Sequence, residues 1–515
     1  MKRTVLLSLM VMMVIGIYSG LSMASTQAEE VTSYDQLSVD LNKSTVGVMT
    51  GSTNEKLVRE NFKSAHVQCY DSNMDAVAAL KAGHVEVVVI GFPVALNVAK
   101  NNRDLMLLPD VLQLDDTAIA VQKENTRLLD ELNVVLRDLA QSGTLEDMQK
   151  RWMKEDFSPY QPVKLNVPRT GEPLRVGVDA TREPFCFKDA DGTVSGLDGE
   201  LARRIAIKLN RPVEFVDMKF AALIPALQSG KTDVIISMMS VTDERKKSVN
   251  FTIPYYKQKV VMLARADKNS GNAASQPSFL QSAGSSFYSN IILENRYLLI
   301  LNGLKVTIVI TVLASILGTL LGALVCFMRM SRRKGLKLLA RVYISVLRGT
   351  PVLVLLMFIF YVALASVNID PVLVAVITFA LNFAAYVSEM FRTAIGSVDK
   401  GQSEAGIASG FTPLQTFIHI IMPQAIKQVL PVYKGELISL AKMTSVVGYI
   451  AVQDLTKASD IIRSRTFDAF FPLLLTAVLY FLISWLLLLS LEGLERKTDP
   501  KANRKKIKEL MNSLN

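Results

Sequence analysis

Phe220-Ala-Ala-Leu-Ile-Pro-Ala-Leu-Gln-Ser-Gly230-Lys-Thr-Asp-Val-Ile-Ile-Ser-Met238 is the stretch on which the fold turns. Ala221 to Leu227 has the apolar spacing of a short helix, Gly230 can stop it with a left-handed cap, and Asp233 to Met238 follows as an apolar run of strand length. The same order recurs upstream: Asp75-Ala-Val-Ala-Ala-Leu80, then Gly83, then Val85 to Ile90. Two copies of one unit predict two similar lobes. Each lobe adds a strand of parallel-sheet type, Thr45-Val-Gly-Val-Met49 in one and Leu174-Arg-Val-Gly-Val178 in the other. Alternating strands and helices predict α/β sheets, whose ligand sites lie beyond strand C-termini.

Around this soluble part the composition changes. The chain has 515 residues, 50% of them hydrophobic, which is too long for one domain and too apolar to be wholly soluble. Its net charge of +10 does not form a nucleic-acid groove, because the cations gather beside hydrophobic spans and in the tail after Glu495. Lys2 and Arg3 ahead of the apolar run Val5 to Ile17, with Ser22-Met23-Ala24 after it, predict a signal peptide over residues 1–24; an uncleaved anchor is the rival reading. Of the three cysteines, Cys326 falls in a span, while Cys69 and Cys186 would both be exported, with unpaired thiols favoured over a bridge. No metal-ligand spacing occurs.

The soluble part resembles the bilobed (type II) solute-binding proteins of polar amino-acid ABC importers over most of residues 33–267. Leu174-Arg-Val-Gly-Val-Asp179, Glu183-Pro-Phe185, Gly196-Leu-Asp198, Ser240-Val-Thr-Asp-Glu-Arg245 and Phe251 through Tyr256 are similar to that family's opening lobe. Val46-Gly-Val-Met-Thr-Gly-Ser-Thr53 is similar to the start of its second lobe, and Thr117 to Val121 with Leu128 to Trp152 to its closing return to the first. The family runs these parts in the opposite order. The resemblance therefore implies a circularly permuted receptor: residues 33–155 hold the second lobe plus the closing part of the first, 156–173 link old terminus to old terminus, and 174–267 hold the opening part. Such reordering is tolerated where original termini lie close together on the surface. It is expected to break one of the two strands connecting the lobes and so to loosen lobe closure.

The residue types indicate the chemistry. Arg245 can hold a carboxylate through two parallel charge-assisted hydrogen bonds. Ser240 and Thr242, just before an expected helix start, can add a hydroxyl and backbone donors to the same anion. From the other lobe, Ser52 and Thr53 open a second helix, where simple capping is an equally good local explanation. Two positions depart from the family pattern. Gly91 stands where the family places an Asp for the ligand's amino group, and Arg182 where it often places an aromatic ring. Losing an anion and gaining a cation disfavours a cationic amino acid and favours an acidic or otherwise anionic ligand. A receptor domain that no longer binds is the bland alternative.

Lys268 to Ser289, rich in Ser, Gly, Ala and Asn, reads as a flexible linker (268–290) with a reach of roughly 25 Å. A membrane domain is expected over 291–495, with a basic cytoplasmic tail over 496–515. Val306 to Phe327 and Ala469 to Leu491 are uncharged and long enough to cross ~30 Å of hydrocarbon. Gly349 to Ile369 and Pro371 to Ser388 give two more spans, and Gln424 to Tyr449, interrupted by Lys434, Glu436 and Lys442, a fifth. Five spans with the receptor outside put the loop Phe391 to Lys427 and the tail in the cytoplasm, in agreement with the cation distribution.

That loop carries Glu404-Ala405-Gly406, three residues, Gly410, nine residues, then Ile420-Ile-Met-Pro423. It resembles the EAA signature by which ABC importer permeases dock on their ATP-binding subunits, as does Arg348-Gly-Thr-Pro351. Gly410 can end one short helix, and Thr412-Pro-Leu-Gln415 can cap the next. No Gly-x-x-x-x-Gly-Lys-Ser/Thr loop occurs, so ATP must be gripped by another polypeptide. The expected protein is a receptor and permease subunit of an amino-acid ABC importer, multi-pass in the cell membrane and in contact with lipid. It is expected to be a permease homodimer with separate ATPase subunits, with no catalysis, no cofactor, no metal and no nucleic acid. A membrane sensor without transport, or a permease with a non-binding receptor domain, are the alternatives.

Overall fold

The computed structural model describes residues 40–102, 104–153, 160–189, 191–266, 284–468 and 470–498. The signal segment, residues 268–283 of the expected linker and the tail beyond Thr498 lie outside them. The chain divides into two units, one formed by Met1–Leu301 with Thr456–Leu475, the other by Asn302–Leu455 with Thr476–Asn515.

In the first unit, strand Thr45–Met49 pairs in parallel with His66–Tyr70 on one side and Val87–Gly91 on the other. Val87-Val-Val-Ile90 is at most 1% exposed, which explains its continuous β-branched run: a strand covered on both faces has no polar side to present. Strand Tyr256–Arg265 runs antiparallel to Val87–Gly91 and also pairs with Leu105–Leu107 and Gln113–Thr117. The second sheet repeats the plan. Leu174–Val178 lies in parallel between Val213–Asp217 and Val234–Ile235, and Ala120–Val121 adds antiparallel, with Asn250–Phe251 beyond it. Each sheet is thus completed by a strand from the other half of the sequence, which makes the two halves one folding unit.

The repeated helices end as expected, at Gly83 (φ +80°) and Gly230 (φ +71°), where a side chain would be strained. The second strand is shorter than expected. It covers Val234–Ile235 rather than reaching Met238, because Ser237 turns its hydroxyl to accept from the Asp179 backbone N–H at 2.9 Å and Met238 adopts a positive φ of 47°.

The expected break in the hinge is corrected by the structure. The chain crosses between the sheets twice, at Ala118–Ile119 and at Thr252–Tyr255, and the crossings are tied together by the Tyr255 N–H donating to Thr117 O at 2.9 Å. Both connections are continuous, and the chain passes from one half of the receptor to the other between Trp152 and Leu174, away from the crossings. Helix Thr144–Trp152 closes onto helix Leu197–Lys208: Arg151 grips Glu200 with bonds of 2.7 and 2.9 Å, and the Trp152 indole donates to the same carboxylate at 2.8 Å. Tyr160, expected in a linker, packs 5.4 Å from Trp152 and 5.9 Å from Phe187, ring to ring. Cys69 is exposed, Cys186 is buried, and neither is bridged.

Among the described residues three helices are long and apolar enough to cross a membrane, each lying mostly in the second unit: Tyr297–Met330, Pro371–Gly396 and Phe471–Glu492. Gly318 and Gly322 let the first approach the second closely; a Cβ on Gly318 would stand 2.9 Å from Ala380 O, and one on Gly322 2.9 Å from Val387. The expected span Gly349 to Ile369 is the second arm of a bent helix pair. Its helical part covers Val352–Phe358 and the wide turn Ile359–Ala363, set at 107° to helix Lys334–Gly349. Pro351 at the junction has no N–H to continue the preceding helix. Twelve helical residues rise about 18 Å, short of ~30 Å of hydrocarbon. Helix Met422–Met443 covers most of the weak fifth segment, and up to five spans result if each bent pair counts as one.

Candidate functional site

The C-terminal ends of the parallel strands in both sheets face a cleft between the lobes. Ser52 caps helix Thr53–Asn61, accepting from Glu55 N–H at 3.3 Å. Thr53 donates its hydroxyl to Asp115 at 2.6 Å and stands 3.2 Å from the Ser240 hydroxyl of the other lobe. Thr242 caps the four-residue turn Asp243–Lys246, accepting from Arg245 N–H at 3.1 Å. Arg245 donates to Ser240 O and, across the cleft, to Gly51 O, both at 2.8 Å. The lobes therefore touch through Arg245 and Gly51 and through Thr53 and Ser240, beside a cavity of about 690 Å³ lined by Gly51, Thr53, Arg59, Thr242, Arg245 and Ser248.

Deeper in the cleft Arg182 is almost fully buried, its guanidinium 4.0 Å above the Phe220 ring, with Nη2 3.4 Å from Met49 Sδ of the other lobe. Arg245 lies 5.4 Å from the same ring. Burial and then the neighbouring Arg182 cation pull the Arg245 pKa down to about 10, and burial lowers that of Arg182 against the pull of Asp179 and Asp198. Burial also pushes the Asp198 carboxyl up to about 7, although it accepts from the Tyr255 hydroxyl at 2.7 Å. Gly91 ends its strand at the same edge and starts helix Phe92–Asn101. The structure thus brings Arg245, Ser240, Thr242, Ser52, Thr53, Arg182 and Gly91 to one cleft, with Ser52 and Thr242 spending their side-chain oxygens on helix starts.

In the second unit, helix Lys400–Ala408 exposes Glu404 and Ala405 and buries Gly406, where a Cβ would stand 2.6 Å from Thr416 Cγ2 and 2.8 Å from Ile420 Cδ1. Gly410 turns at φ +86°. Thr412 and Gln415 form a reciprocal capping box with Pro413 in the first turn, and Pro423 lies in the first turn of helix Met422–Met443. Exposed Ile407, Leu414 and Ile418 flank Glu404, giving a short helical hairpin with an acidic and apolar outer surface.

Sequence reasoning missed one element. Residues 450–468 carry no assignment there, yet helix Leu455–Thr466 enters the receptor unit from Thr456 onward and touches both lobes. Lys457, 2% exposed, reaches Asp217 at 3.0 Å and Asp179 at 3.4 Å in the first lobe. Arg463 pairs with Asp75 of the second lobe at 2.7 Å, and Phe467 O accepts from Asn102 at 3.0 Å. Arg465 pairs with Glu183 at 2.8 Å and Glu294 at 2.9 Å. The available signal was cations at Lys457, Arg463 and Arg465 in a segment otherwise rich in Ile, Ala and Ser.

Residues 174–514 match the family described as bacterial extracellular solute-binding proteins, family 3. The chain is 32% identical over 204 residues, 39% of its own length and 94% of the relative's, to a protein named for a glutamine transport system permease, GlnP, of Rickettsia felis. It is 40% identical over 173 residues, 33% of its length and 74% of the relative's, to the L-cystine transport system permease protein TcyB of Bacillus subtilis. A solved structure of an amino acid ABC transporter with histidines is 38% identical, covering 39% of this chain and 94% of that one with a TM-score of 0.36.

Proposed function

Because the chain belongs to the bacterial extracellular solute-binding proteins, family 3, and through its membrane half to the amino-acid ABC importer permeases, we propose that one polypeptide captures an amino acid and forms its path across the membrane. The observation that carries this reading is the cleft itself. Its two lobes meet through Arg245 and Gly51, so an anion held at Arg245 would join both lobes and favour their closure. In this reading the receptor is a circular permutant whose halves complete each other's sheets within one chain. Arg245 takes the α-carboxylate, with Ser240 and Thr53 beside it. The receptor lies outside the cell membrane, five segments cross it, and lipid surrounds them. Two copies of the permease part pair, and the hairpin of Glu404, Ala405, Gly406 and Gly410 docks on separate ATP-binding subunits.

Closure of the lobes changes the surface presented to helix Leu455–Thr466, which contacts both of them, and the hairpin receives the motion driven by ATP. This chain contributes binding and passage, with hydrolysis on its partner. The test is reconstitution of the full chain with its ATP-binding subunit in vesicles. Amino acid added to the receptor side is expected to stimulate ATP hydrolysis and to accumulate inside, and Arg245→Ala to abolish both. Binding without stimulated hydrolysis would instead identify a sensor.

A further inference from the structure

Gly91 is a position of filled space. A Cβ placed there would lie 1.5 Å from Nε2 and 2.7 Å from Cδ of Gln258, so the volume any larger residue would need is occupied by that amide. Gln258 comes from strand Tyr256–Arg265, whose antiparallel pairing sets Val260 opposite Gly91. It is 5% exposed, and among the described residues its amide makes no hydrogen bond.

Two guanidiniums, Arg182 and Arg245, share the cleft. Arg182 has a buried Nε with no partner, and its Nη1 reaches Ser237 O only at 3.5 Å. Among the described residues neither Arg182 nor Arg245 has a salt bridge, although both sit against Phe220. Of the carboxylates that act on them electrostatically, Asp115 is hydrogen-bonded by Thr53 and Gln113, Asp179 by Thr181 and Lys457 and Asp198 by Tyr255, while Glu244 makes no salt bridge with Arg245. Met49, which Arg182 touches, ends the strand that pairs in parallel with Val87–Gly91. The neutral amide and the two guanidiniums thus converge on one edge of the second lobe's sheet.

A buried guanidinium that makes no direct ion pair gains from a ligand carboxylate that forms one. We propose that Gln258 is the specificity-determining residue of the cleft, and that its neutral amide at Gly91, beside the strand end that Arg182 touches, selects a dicarboxylic amino acid. This rests on the cleft being the amino-acid site. Arg245 receives the α-carboxylate, Arg182 the side-chain carboxylate, and the Gln258 amide, turned so that its oxygen replaces Nε2 at Gly91, accepts from the α-ammonium. The two cations and the neutral amide match a ligand with two carboxylates and one ammonium. A carboxylate in place of the amide would suit a ligand of more positive charge.

The test is calorimetric titration of the full chain in nanodiscs with L-glutamate, L-aspartate, L-glutamine and L-arginine. Glutamate or aspartate is expected to bind at least 10-fold more tightly than glutamine and at least 100-fold more tightly than arginine. Gln258→Glu returns an anion to the pocket and should lower the glutamate-to-glutamine preference at least 10-fold. Arg182→Gln should bring glutamate and glutamine within threefold while glutamine still binds. Both variants are read as ratios between ligands on one preparation, so partial misfolding cannot produce the expected result. Arginine or glutamine binding as tightly as glutamate, or a preference unmoved by Gln258→Glu, would overturn this inference and leave the amino-acid site standing. No heat with any of the four would overturn both.

Discussion

Lys457→Met tests whether helix Leu455–Thr466 is held on the receptor by charge. The ammonium is 2% exposed and lies 3.0 Å from Asp217 and 3.4 Å from Asp179. Methionine keeps most of the stem and leaves two buried carboxylates short of a cation. Removing one partner of a buried pair costs about 3–5 kcal/mol. Here Asp217 retains Lys188 at 3.2 Å and the Ala180 N–H at 3.1 Å, while Asp179 retains the Thr181 hydroxyl at 2.8 Å. These partners place the cost at the low end, about 3 kcal/mol, or on the order of 100-fold in the docking equilibrium. Hydrogen exchange followed by mass spectrometry on the full chain in nanodiscs reads this as lost protection over residues 456–466. Arg463 and Arg465 remain paired, so protection should fall rather than vanish. Adding Asp217→Asn removes one orphaned charge and should restore at least half the loss. Protection within threefold of the parent, or strictly additive losses in the double variant, would refute the charge lock.

The pH dependence of the receptor should carry the signature of Asp198. Its folded pKa of about 7 lies above the ordinary carboxyl value of 3.8, so the unfolded chain releases this proton first and stability falls as pH rises between the two values. The contribution is about 1.4 kcal/mol per pH unit across that window and flattens above about pH 7. Asp198→Asn should remove that slope, so that the variant gains stability relative to the parent from pH 5 to pH 7 in thermal unfolding; parallel curves would count against it. In the membrane unit, Gly406→Val would force a side chain into Thr416 and Ile420. It should reduce stimulated ATP hydrolysis at least 10-fold while leaving amino-acid binding within twofold of the parent, measured on one reconstituted preparation; unaltered hydrolysis would exclude a coupling role for the hairpin.

Much of the fold is legible along the chain because its signals are local. Gly83 and Gly230 stop helices by backbone conformation alone, and Thr412 with Gln415 caps its helix within four residues. The bent segment around Pro351 was less legible. Its apolar composition satisfies a membrane span, whereas the 107° turn depends on where the helix ahead of the proline ends. The kinship of the two receptor halves is legible in their motifs, but the two intact crossings between their sheets are not.

By itself the sequence determined the two lobes, the apolar helices, the hairpin at Glu404 and the cationic residues of the cleft, since periodicity, caps and charge are properties of neighbouring residues. Only the tertiary structure decided what fills the space at Gly91 and what Lys457 meets. Gln258 reaches that space because its strand pairs with one far earlier in the chain, and Lys457 finds Asp179 and Asp217 at the ends of strands in another part of the sequence. Contacts of that kind depend on pairing between distant segments, and no local pattern of residues specifies them.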